Sequence, residues 1–359
     1  MHNDTTIVAF AHDPGGANAV GATVAALRRA GVAVRLVGAG PALARFARLG
    51  LTHEASTGDV EQEMIATADL VLTGTSEYNA LEQAALVMAA ECGVPSLVIS
   101  DFWGNQPLRF ASRLRGRIRE VRPDWVTAID ADNVAELVHA GFRPSQVTIT
   151  GQPWFGHLVR DSAALVPATS PARSVLIPSQ PMAGEAEALD IIAAGVALAG
   201  IRRLTVRLHP RASNGEEVIK RLSKSGLTPR IDDAVDIASS AAQHDVVLGM
   251  NSAVLIETAL AGATVARVRS TAYVFPTALD ELITPLDDVD QISAFLRQPQ
   301  AGSAGAFRIV TAGADERAAA WAIDLLGAAW LRPGSLSWRW RALLDSRGRH
   351  PNIALPYRA

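Results

Sequence analysis

The sequence is poor in cysteine, in net positive charge and in long apolar runs. Cys92 is the single cysteine, which excludes an internal disulfide and a cysteine-based metal cluster, and we interpret it as a small buried residue near a helix end. The formal net charge of -3 disfavours a nucleic-acid partner. No run approaches the ~18 apolar residues of a membrane span, and no basic stretch precedes an apolar one at the N-terminus. We therefore expect a soluble, cytoplasmic protein.

Short β-branched runs alternate with longer helical patterns rich in alanine and leucine, which is typical of βαβ units around a parallel sheet. The chain has 359 residues, of which 49% are hydrophobic, enough for two folded domains. Proline and serine residues near position 170 predict a linker, after which the alternation resumes. In the first half the pattern predicts strands at 6–11, 32–37, 70–73, 96–100, 125–129 and 146–150, and helices at 17–30 and 78–91.

We predict from this pattern an α/β architecture of two Rossmann-like, doubly wound parallel-sheet domains that face a cleft. Residues 1–165 form the first domain, residues 172–330 form the second, and residues 331–359 form a tail that packs back on the first. Ligands of such folds bind at the carboxyl ends of the strands. The residues that follow predicted strands are therefore the candidates for function.

In the second half, the segment TVRLHPR ends a predicted strand with basic side chains. Alternation along the strand puts Arg207 and His209 on one side, and Arg211 lies just beyond. An imidazole between two guanidiniums is disfavoured as a cation but suited to donate to an anion such as a phosphate. The alternative is a histidine that caps the strand and bonds a backbone carbonyl.

The segment DVVLGMNSAVLIETALAG runs from a predicted strand into a helix that starts near Asn251 and Ser252. Both residues are good N-caps, and a helix start carries partial positive charge and free N–H groups that suit a phosphate. Glu257 is the only acidic residue of this apolar helix, and a buried carboxylate needs a hydrogen-bond donor. The hydroxyls of a ribose would supply one, and Arg207 or Arg267 is the alternative partner.

The order of these motifs resembles that of a known superfamily. A strand that ends in His-Pro, a helix that starts at a serine and a glutamate within that helix resemble the nucleotide half of GT-B glycosyltransferases and of non-hydrolysing UDP-N-acetylglucosamine 2-epimerases. The same stretches also resemble motifs of bacterial sialyltransferases, Kdo transferases and CDP-glycerol glycerophosphotransferases. The resemblance implies that His209 and Ser252 contact the donor phosphate and that Glu257 binds the ribose.

This resemblance implies an enzyme that transfers a sugar or polyol unit from a nucleotide-activated donor to a saccharide or lipid-linked acceptor, in bacterial surface polysaccharide or glycoconjugate biosynthesis. The second domain would bind the donor, and the first would supply the acceptor and catalytic side. The nucleotide sugar is then a substrate, and no cofactor is expected. The alternatives are a nucleotide-sugar 2-epimerase or hydrolase on the same fold and a non-catalytic nucleotide-sugar-binding protein.

The first predicted strand runs into the turn HDPGGAN, and a glycine pair there is typical of a tight bend or of a backbone that something approaches closely. With a nucleotide in the second domain, Gly15 and Gly16 would admit the donor sugar and diphosphate, which the N–H groups of the helix start would face. Asp13 is the candidate general base for an acceptor hydroxyl, and His12 is its rival. The alternative is that Asp13 caps the helix or orders the turn.

Two further strand ends carry acidic candidates. Asp101 follows a strand and precedes Phe102 and Trp103. This combination suits sugar recognition and makes Asp101 a second candidate for the base, but a solvated turn would also carry it. Ser76 and Glu77 follow another strand and either line the same cleft or cap the next helix.

Two charged patterns favour structural roles. Asp130 and Asp132 form a D-x-D pattern that would suggest a metal-bound nucleotide in other glycosyltransferases, but a helix follows, so we expect capping and no catalytic metal. The arginines from Arg109 to Arg122 do not share one helical face, which favours a solvated surface, with contact to an anionic acceptor or a membrane surface as the alternative. The same two interpretations apply to the tryptophans and arginines at 338–341, where packing between domains is favoured.

Overall fold

The structure is a computed structural model that describes residues 6–57, 61–76, 80–114, 117–161, 168, 170–209, 212, 214–234, 236–269, 279–280, 282–302 and 311–327. The described residues up to Trp154, together with those from Gly313 onward, form one compact unit, and those from Phe155 to Ala312 form a second. The predicted tail at 331–359 lies outside the described residues.

The first unit is built around a parallel sheet. Its strands are β1 (Thr6–Ala11), β2 (Ala33–Gly38), β3 (Glu54–Ala55), β4 (Leu70–Thr73), β5 (Ser96–Ile99), β6 (Ala111–Leu114), β7 (Arg117–Glu120), β8 (Trp125–Ala128) and β9 (Val147–Ile149). Seven of them form the sheet in the order β3-β2-β1-β4-β5-β8-β9, and β6 and β7 form a separate antiparallel hairpin. The helices are α1 (Pro14–Arg29), α2 (Pro41–Arg48), α3 (Glu61–Ala66), α4 (Ala80–Cys92), α5 (Gln106–Arg109), α6 (Ala131–His139) and α7 (Pro153–Asp161), which crosses into the second unit.

The centre of this sheet is covered on both faces. Ile7 and Ala9 of β1 belong to one buried cluster with residues of α1, whereas Val8 and Phe10 belong to another with residues of α4. A strand buried on both faces is a continuous apolar run rather than an alternating one, which is why β1 could be predicted with its observed limits.

The second unit repeats this plan with a six-stranded sheet. Its strands are β10 (Ser174–Pro178), β11 (Arg203–Arg207), β12 (Thr228–Ile231), β13 (Val246–Gly249), β14 (Thr264–Val268) and β15 (Thr284–Leu286). They lie in the order β12-β11-β10-β13-β14-β15, and all neighbours are parallel. The helices are α8 (Glu185–Leu198), α9 (Gly215–Ser223), α10 (Ile237–Ala241), α11 (Ala253–Leu260) and α12 (Val289–Arg297).

Both sheets therefore have the doubly wound topology, and the predicted fold class of two Rossmann-like parallel-sheet domains is confirmed. In each sheet the chain order reverses at one place, between β1 and β4 in the first unit and between β10 and β13 in the second. Doubly wound folds bind their ligands outside the carboxyl ends of the strands at this switch point.

The last described helix, α13 (Ala314–Gly327), packs within the first unit. Ala318 and Ala322 belong to the buried cluster that covers α1, and Asp315 forms an ion pair with Arg29 at 3.0 Å. The predicted second domain at 172–330 includes this helix, whereas the structure places the helix in the first unit. The small side chains of the helix let it pack closely on α1, which is rich in alanine and glycine.

Candidate functional site

His12 and Asp13 directly follow β1 at the first switch point and form a hydrogen-bonded pair. Nδ1 of His12 lies 3.0 Å from Oδ1 of Asp13, and the side chains are 29% and 35% exposed. Because a carboxylate only accepts hydrogen bonds, Nδ1 carries the proton in this pair. Although α1 begins immediately afterwards at Pro14, the Asp13 side chain makes no capping hydrogen bond. The partner that orients Asp13 is therefore His12.

Asp101 follows β5 and is held in an ion pair. Its Oδ1 lies 2.6 Å from Nη1 of Arg109 and accepts a hydrogen bond from the Thr75 hydroxyl at the end of β4. The Asp101 and Arg109 side chains are each only 11% exposed. Asp101 is thus not part of a solvated turn, and the expectation of a solvated surface is wrong for Arg109 because its guanidinium is the counterion of this carboxylate.

Gly15 and Gly16 lie in the first turn of α1, where neighbouring loops approach both residues closely. A Cβ on Gly15 would lie 2.3 Å from Oδ2 of Asp101, and a Cβ on Gly16 would lie 2.9 Å from the carbonyl oxygen of Thr75. Both distances are shorter than packed atoms allow. The close approach seen at these glycines comes from the same unit, and an approach by donor phosphate stays a prediction.

Glu82 is a buried carboxylate behind this turn that the sequence pattern does not reveal. It lies in the first turn of α4 and is 1% exposed. The carboxylate accepts hydrogen bonds from the backbone N–H of His12 at 2.8 Å and from the hydroxyl of Ser76 at 3.1 Å. Burial raises the pKa of Glu82, and the charge of Asp13 raises it further, although the hydrogen bonds oppose the shift. Ser76 is thus a partner of Glu82, and Glu77 lies outside the described residues.

The loop after β5, which leads to Arg109, is fixed by α6. The indole N–H of Trp103 donates to Asp130 at 2.9 Å, and the backbone N–H of Gly104 donates to Glu136 at 2.9 Å. Nε of Arg109 in turn donates to the carbonyl oxygen of Gly104 at 3.1 Å. The cation beside Asp101 is therefore held by a loop that has hydrogen bonds of its own to α6.

The D-x-D pattern supplies a helix cap. Asp130 accepts the backbone N–H of Asn133 at 2.8 Å at the start of α6, and Asp132 is exposed in the first turn. Within the described ranges, no three His, Cys, Asp or Glu side chains cluster closely enough to hold a metal ion. The absence of a catalytic metal stays a prediction.

The arginine-rich segment is described only in part. Nη2 of Arg122 donates to the carbonyl oxygen of Ala140 at 3.0 Å, and the guanidinium lies over the ring of Phe142. Arg115 and the side chains of Arg113, Arg117 and Arg119 lie outside the described part, so contact with a membrane or an anionic acceptor stays a prediction. None of the described helices is long and apolar enough to cross a bilayer.

In the second unit, the end of β11 carries His209 and Arg207 in different environments. The backbone N–H of His209 donates to the hydroxyl of Ser179 at 3.1 Å, which ties together the ends of β10 and β11. Arg207 forms an ion pair with Asp232 and donates to the carbonyl oxygen of Ala234 at 3.1 Å. Its guanidinium therefore already has protein acceptors. Arg211 lies outside the described residues.

The loop between β13 and α11 lies at the second switch point. Ser252 is the N-cap of α11, and its hydroxyl accepts the N–H of Val254 at 3.3 Å. The backbone of Asn251 exchanges two hydrogen bonds with the side-chain amide of Gln180, which follows β10. Gln180 thus joins the two strand ends that flank the switch point, a role that the sequence pattern does not reveal.

Glu257 is the partly exposed residue of a mostly buried helix. Leu255, Ile256 and Thr258 beside it are buried, whereas Glu257 is of intermediate exposure. Glu257 is therefore less buried than the apolar sequence of the helix predicts, because this position of α11 lies at the border of the core. Arg267, one of its alternative partners, forms an ion pair with Asp280 at 2.5 Å.

Glu185 is a second buried carboxylate that the sequence did not reveal. One of its oxygens accepts the backbone N–H of Gln180 at 2.7 Å, and the other accepts the side-chain amide of Asn214 at 3.1 Å. It therefore orders the loop after β10 from within the unit.

Comparison with solved structures assigns the fold. The UDP-GlcNAc 2-epimerase from Methanocaldococcus jannaschii matches with a TM-score of 0.61 at 10% identity, over 89% of this chain and 99% of that one. A glycosyltransferase from Rickettsia africae matches with a TM-score of 0.53 at 12% identity, over 96% and 98%. Anabaena Alr3699/HepE in complex with UDP-glucose matches with a TM-score of 0.52 at 14% identity, over 95% and 99%.

These matches show that the chain has the fold of the GT-B and UDP-GlcNAc 2-epimerase-like superfamily, and they confirm at the level of the fold the resemblance stated from the motifs. No family model matches the sequence, and no curated protein matches it either.

Proposed function

We propose that this chain is a glycosyltransferase-like enzyme that moves a sugar or polyol unit from a nucleotide-activated donor to a hydroxyl of a saccharide or lipid-linked acceptor, without a catalytic metal. The observation that carries the proposal is the His12–Asp13 pair, an accessible carboxylate oriented by an imidazole at a switch point. A group at this place lies where doubly wound sheets bind ligands and can accept a proton from an attacking hydroxyl.

The second unit is the proposed donor side. Ser252 lies at the start of α11, where N–H groups and the helix dipole favour a phosphate, and His209 follows β11 in the same sheet. The intermediate exposure of Glu257 supports a ribose contact, because a fully enclosed carboxylate could not reach a ligand. The UDP-glucose in the Anabaena structure supports a nucleotide sugar as a ligand that suits this fold.

The two acidic candidates of the first unit differ in their suitability as the base. Proton uptake by Asp101 would break its ion pair with Arg109, whereas Asp13 has no arginine or lysine partner among the described residues and is more exposed. We therefore assign the base to Asp13, with His12 orienting it, and assign to Asp101 the binding of sugar hydroxyls as a fixed negative charge.

When the donor is a nucleoside diphosphate sugar, the acceptor oxygen forms a bond to the anomeric carbon of the donor sugar as the bond from that carbon to the phosphate oxygen breaks. Asp13 takes up the proton of the acceptor hydroxyl, and the nucleoside diphosphate leaves with the bonding electron pair. The N–H groups at the start of α11 and the imidazole of His209 stabilise the negative charge of the leaving group. The proposed setting, bacterial surface polysaccharide or glycoconjugate biosynthesis, rests on the motif resemblance.

A nucleotide-sugar 2-epimerase or hydrolase is the second candidate. It is favoured by the match to the Methanocaldococcus epimerase over nearly the whole of both chains. The same Asp13 would then take a proton from the sugar itself in an epimerase, or from water in a hydrolase, so the two candidates differ in whether an acceptor is needed.

Product analysis separates these candidates. The purified protein is incubated with UDP-glucose, UDP-GlcNAc and other nucleotide sugars, with and without saccharide and lipid-linked acceptors. Nucleotide release that depends on an acceptor supports transfer, whereas release or an epimeric sugar without an acceptor supports the second candidate. Binding of a nucleotide sugar with no turnover under either condition would contradict both and indicate a non-catalytic binding protein.

A further inference from the structure

Glu82 bridges the two strand ends that flank the first switch point. Its carboxylate accepts the backbone N–H of His12 after β1 and the hydroxyl of Ser76 after β4, at 2.8 and 3.1 Å. Among the described residues no lysine or arginine forms an ion pair with Glu82, so its charge is balanced only by hydrogen bonds. A carboxylate buried in this way is costly to the fold, and packing alone gives no reason to place one here.

The hydrogen bond to His12 joins Glu82 to the proposed base. The N–H that Glu82 accepts belongs to the residue whose ring orients Asp13 at 3.0 Å. If this N–H were released, the backbone at the end of β1 could turn, and the ring of His12 would move with it. The next residue of the chain, Asp13, would lose its orientation at the same time.

We propose that Glu82 is a positioning residue that holds the backbone of His12 and thereby fixes the geometry of the His12–Asp13 pair. Its effect on turnover rests on the proposed function, whereas its effect on the geometry of the pair does not. Glu82 acts through His12 and has no contact of its own with a substrate in this proposal.

The first unit contains a matched control at the amino ends of the strands of the same sheet. Asp124 precedes β8 and accepts both the backbone N–H and the hydroxyl of Ser96, the first residue of β5, at 2.9 and 3.0 Å. It is also a carboxylate that joins two strands through one N–H and one hydroxyl. Because it lies at the amino ends of the strands, it has no connection to His12.

The test compares Glu82→Ala, Glu82→Gln and Asp124→Ala by nitrogen NMR of histidine-labelled protein, with the His12 signal assigned from a His12→Gln variant. We expect the ring signals of His12 to shift in Glu82→Ala. They should stay as in the wild type in Glu82→Gln, whose amide oxygen can accept the same N–H, and in Asp124→Ala. An unchanged His12 signal in Glu82→Ala, or an equal shift in Asp124→Ala, would overturn the proposal.

A further variant, Glu82→Asp, keeps the test decisive if Glu82→Ala does not fold. It retains the negative charge, but its side chain is one methylene shorter and cannot hold both partners, so we expect the His12 signal to shift in this variant as well. An unchanged His12 signal in Glu82→Asp would also overturn the proposal.

Kinetics test the effect on turnover. With the best nucleotide sugar, kcat should fall about 10²-fold in Glu82→Ala at an unchanged KM, the scale of a misplaced catalytic group, and Glu82→Gln should restore it. A fall in Glu82→Ala no larger than that in Asp124→Ala would contradict the catalytic effect. If the wild type turns over no nucleotide sugar, the proposed function fails, and the NMR comparison still decides whether Glu82 positions His12.

Discussion

The two sheets have the same strand order around their switch points but carry different side chains at their carboxyl ends. In the first unit these are ionic groups, including Asp13, Glu82 and the Asp101–Arg109 pair. In the second unit the side chains that directly face the switch point are neutral, such as Ser252 and Gln180, whereas the charged Glu185 lies behind Gln180 and Arg207 is already paired with Asp232. A carboxylate can accept a proton from a substrate but repels an anion, whereas neutral hydrogen-bond donors can bind an anion such as a phosphate.

The amino ends of the two sheets share one kind of contact. Asp124 accepts the N–H and the hydroxyl of Ser96 in the first unit, and Asp245 accepts those of Ser174 in the second, all at 2.9 to 3.0 Å. In both cases an aspartate before one strand holds the first residue of the neighbouring strand. The difference between the units is thus concentrated at the carboxyl ends, where doubly wound folds bind ligands.

The largest effect is expected at the proposed base. Asp13→Asn keeps the size of the side chain but removes its capacity to take up a proton, so turnover should fall about 10²- to 10⁴-fold, the usual contribution of a general base. Nucleotide affinity should be unchanged. Steady-state kinetics and titration calorimetry measure the two quantities, and Asp132→Asn, an exposed acid on α6, is the control. A similar loss in both variants would contradict the assignment.

The donor side should respond in affinity instead. Ser252→Ala and His209→Ala each remove a proposed contact to a charged phosphate, worth about 1.5–3 kcal/mol, so the Kd for a bound nucleotide should rise roughly 10- to 150-fold. Asp288→Ala is the control, because it removes the N-cap of α12 in the same unit. If Asp288→Ala weakens nucleotide binding as much as Ser252→Ala does, the effect comes from lost stability, and the phosphate contact is refuted.

Gly15→Ala tests the packing of Asp101 against α1. Its Cβ would meet Oδ2 of Asp101 at 2.3 Å, so the ion pair with Arg109 must shift, and we expect the free energy of unfolding to fall by about 1–3 kcal/mol, as for other overpacked sites. In Gly21→Ala on the same helix, the one overly close neighbour is a methyl group of Leu49 at 2.7 Å, while Leu51 and Phe46 lie at ordinary contact distances, so this variant should cost less. Urea denaturation measures the free energy of unfolding of both variants. If Gly15→Ala loses no more of this free energy than Gly21→Ala does, the close contact with Asp101 is contradicted.

The smallest effects are opposite changes of stability with pH. Burial raises the pKa of Glu82, so the native state binds more protons than the unfolded state, and stability is lost as the pH rises above the ordinary range of a glutamate. Glu82→Gln should therefore have a higher Tm than the wild type at neutral pH. The difference should vanish below about pH 4, where the carboxyl group is protonated in both states.

Asp245 should behave in the opposite way. Burial pushes the pKa of Asp245 upward, but the hydrogen bonds from Arg173 and Ser174 outweigh it, and the pKa is lowered. Its contribution is present at neutral pH and is lost as the pH falls. Asp245→Asn should thus lower Tm at neutral pH and approach the wild type in acid. The same sign for both variants in a series of thermal melts would contradict the account.

The strands with a continuous apolar run could be predicted from the sequence, whereas the very short strands could not. Continuous apolar runs such as Thr6–Ala11 and Leu70–Thr73 have the predicted limits, because both faces of these strands are buried. The short strands Glu54–Ala55 and Thr284–Leu286 at the sheet edges were not predicted, since a strand of two or three residues has no periodicity to detect.

The sequence predicts which residues of the candidate site follow strands, but it does not predict which side chains contact them. His12, Asp13 and Asp101 were found because each directly follows an apolar run. The partners Arg109 and Glu82 were missed because they contact Asp101 and His12 only when β1, β4 and β5 lie side by side. A single sequence does not show directly which strands lie next to one another in the sheet.

The central claim, that this chain binds an activated nucleotide at its second unit, is tested most directly by thermal unfolding of the wild type and of His209→Ala with UDP, CDP, CMP, GDP, ADP and dTDP. A nucleotide present at 100 times its Kd should stabilise the wild type by about 2.7 kcal/mol, and His209→Ala should lose about half of this gain or more at the same concentration. The claim would be contradicted if no nucleotide stabilised the wild type, or if both proteins were stabilised equally.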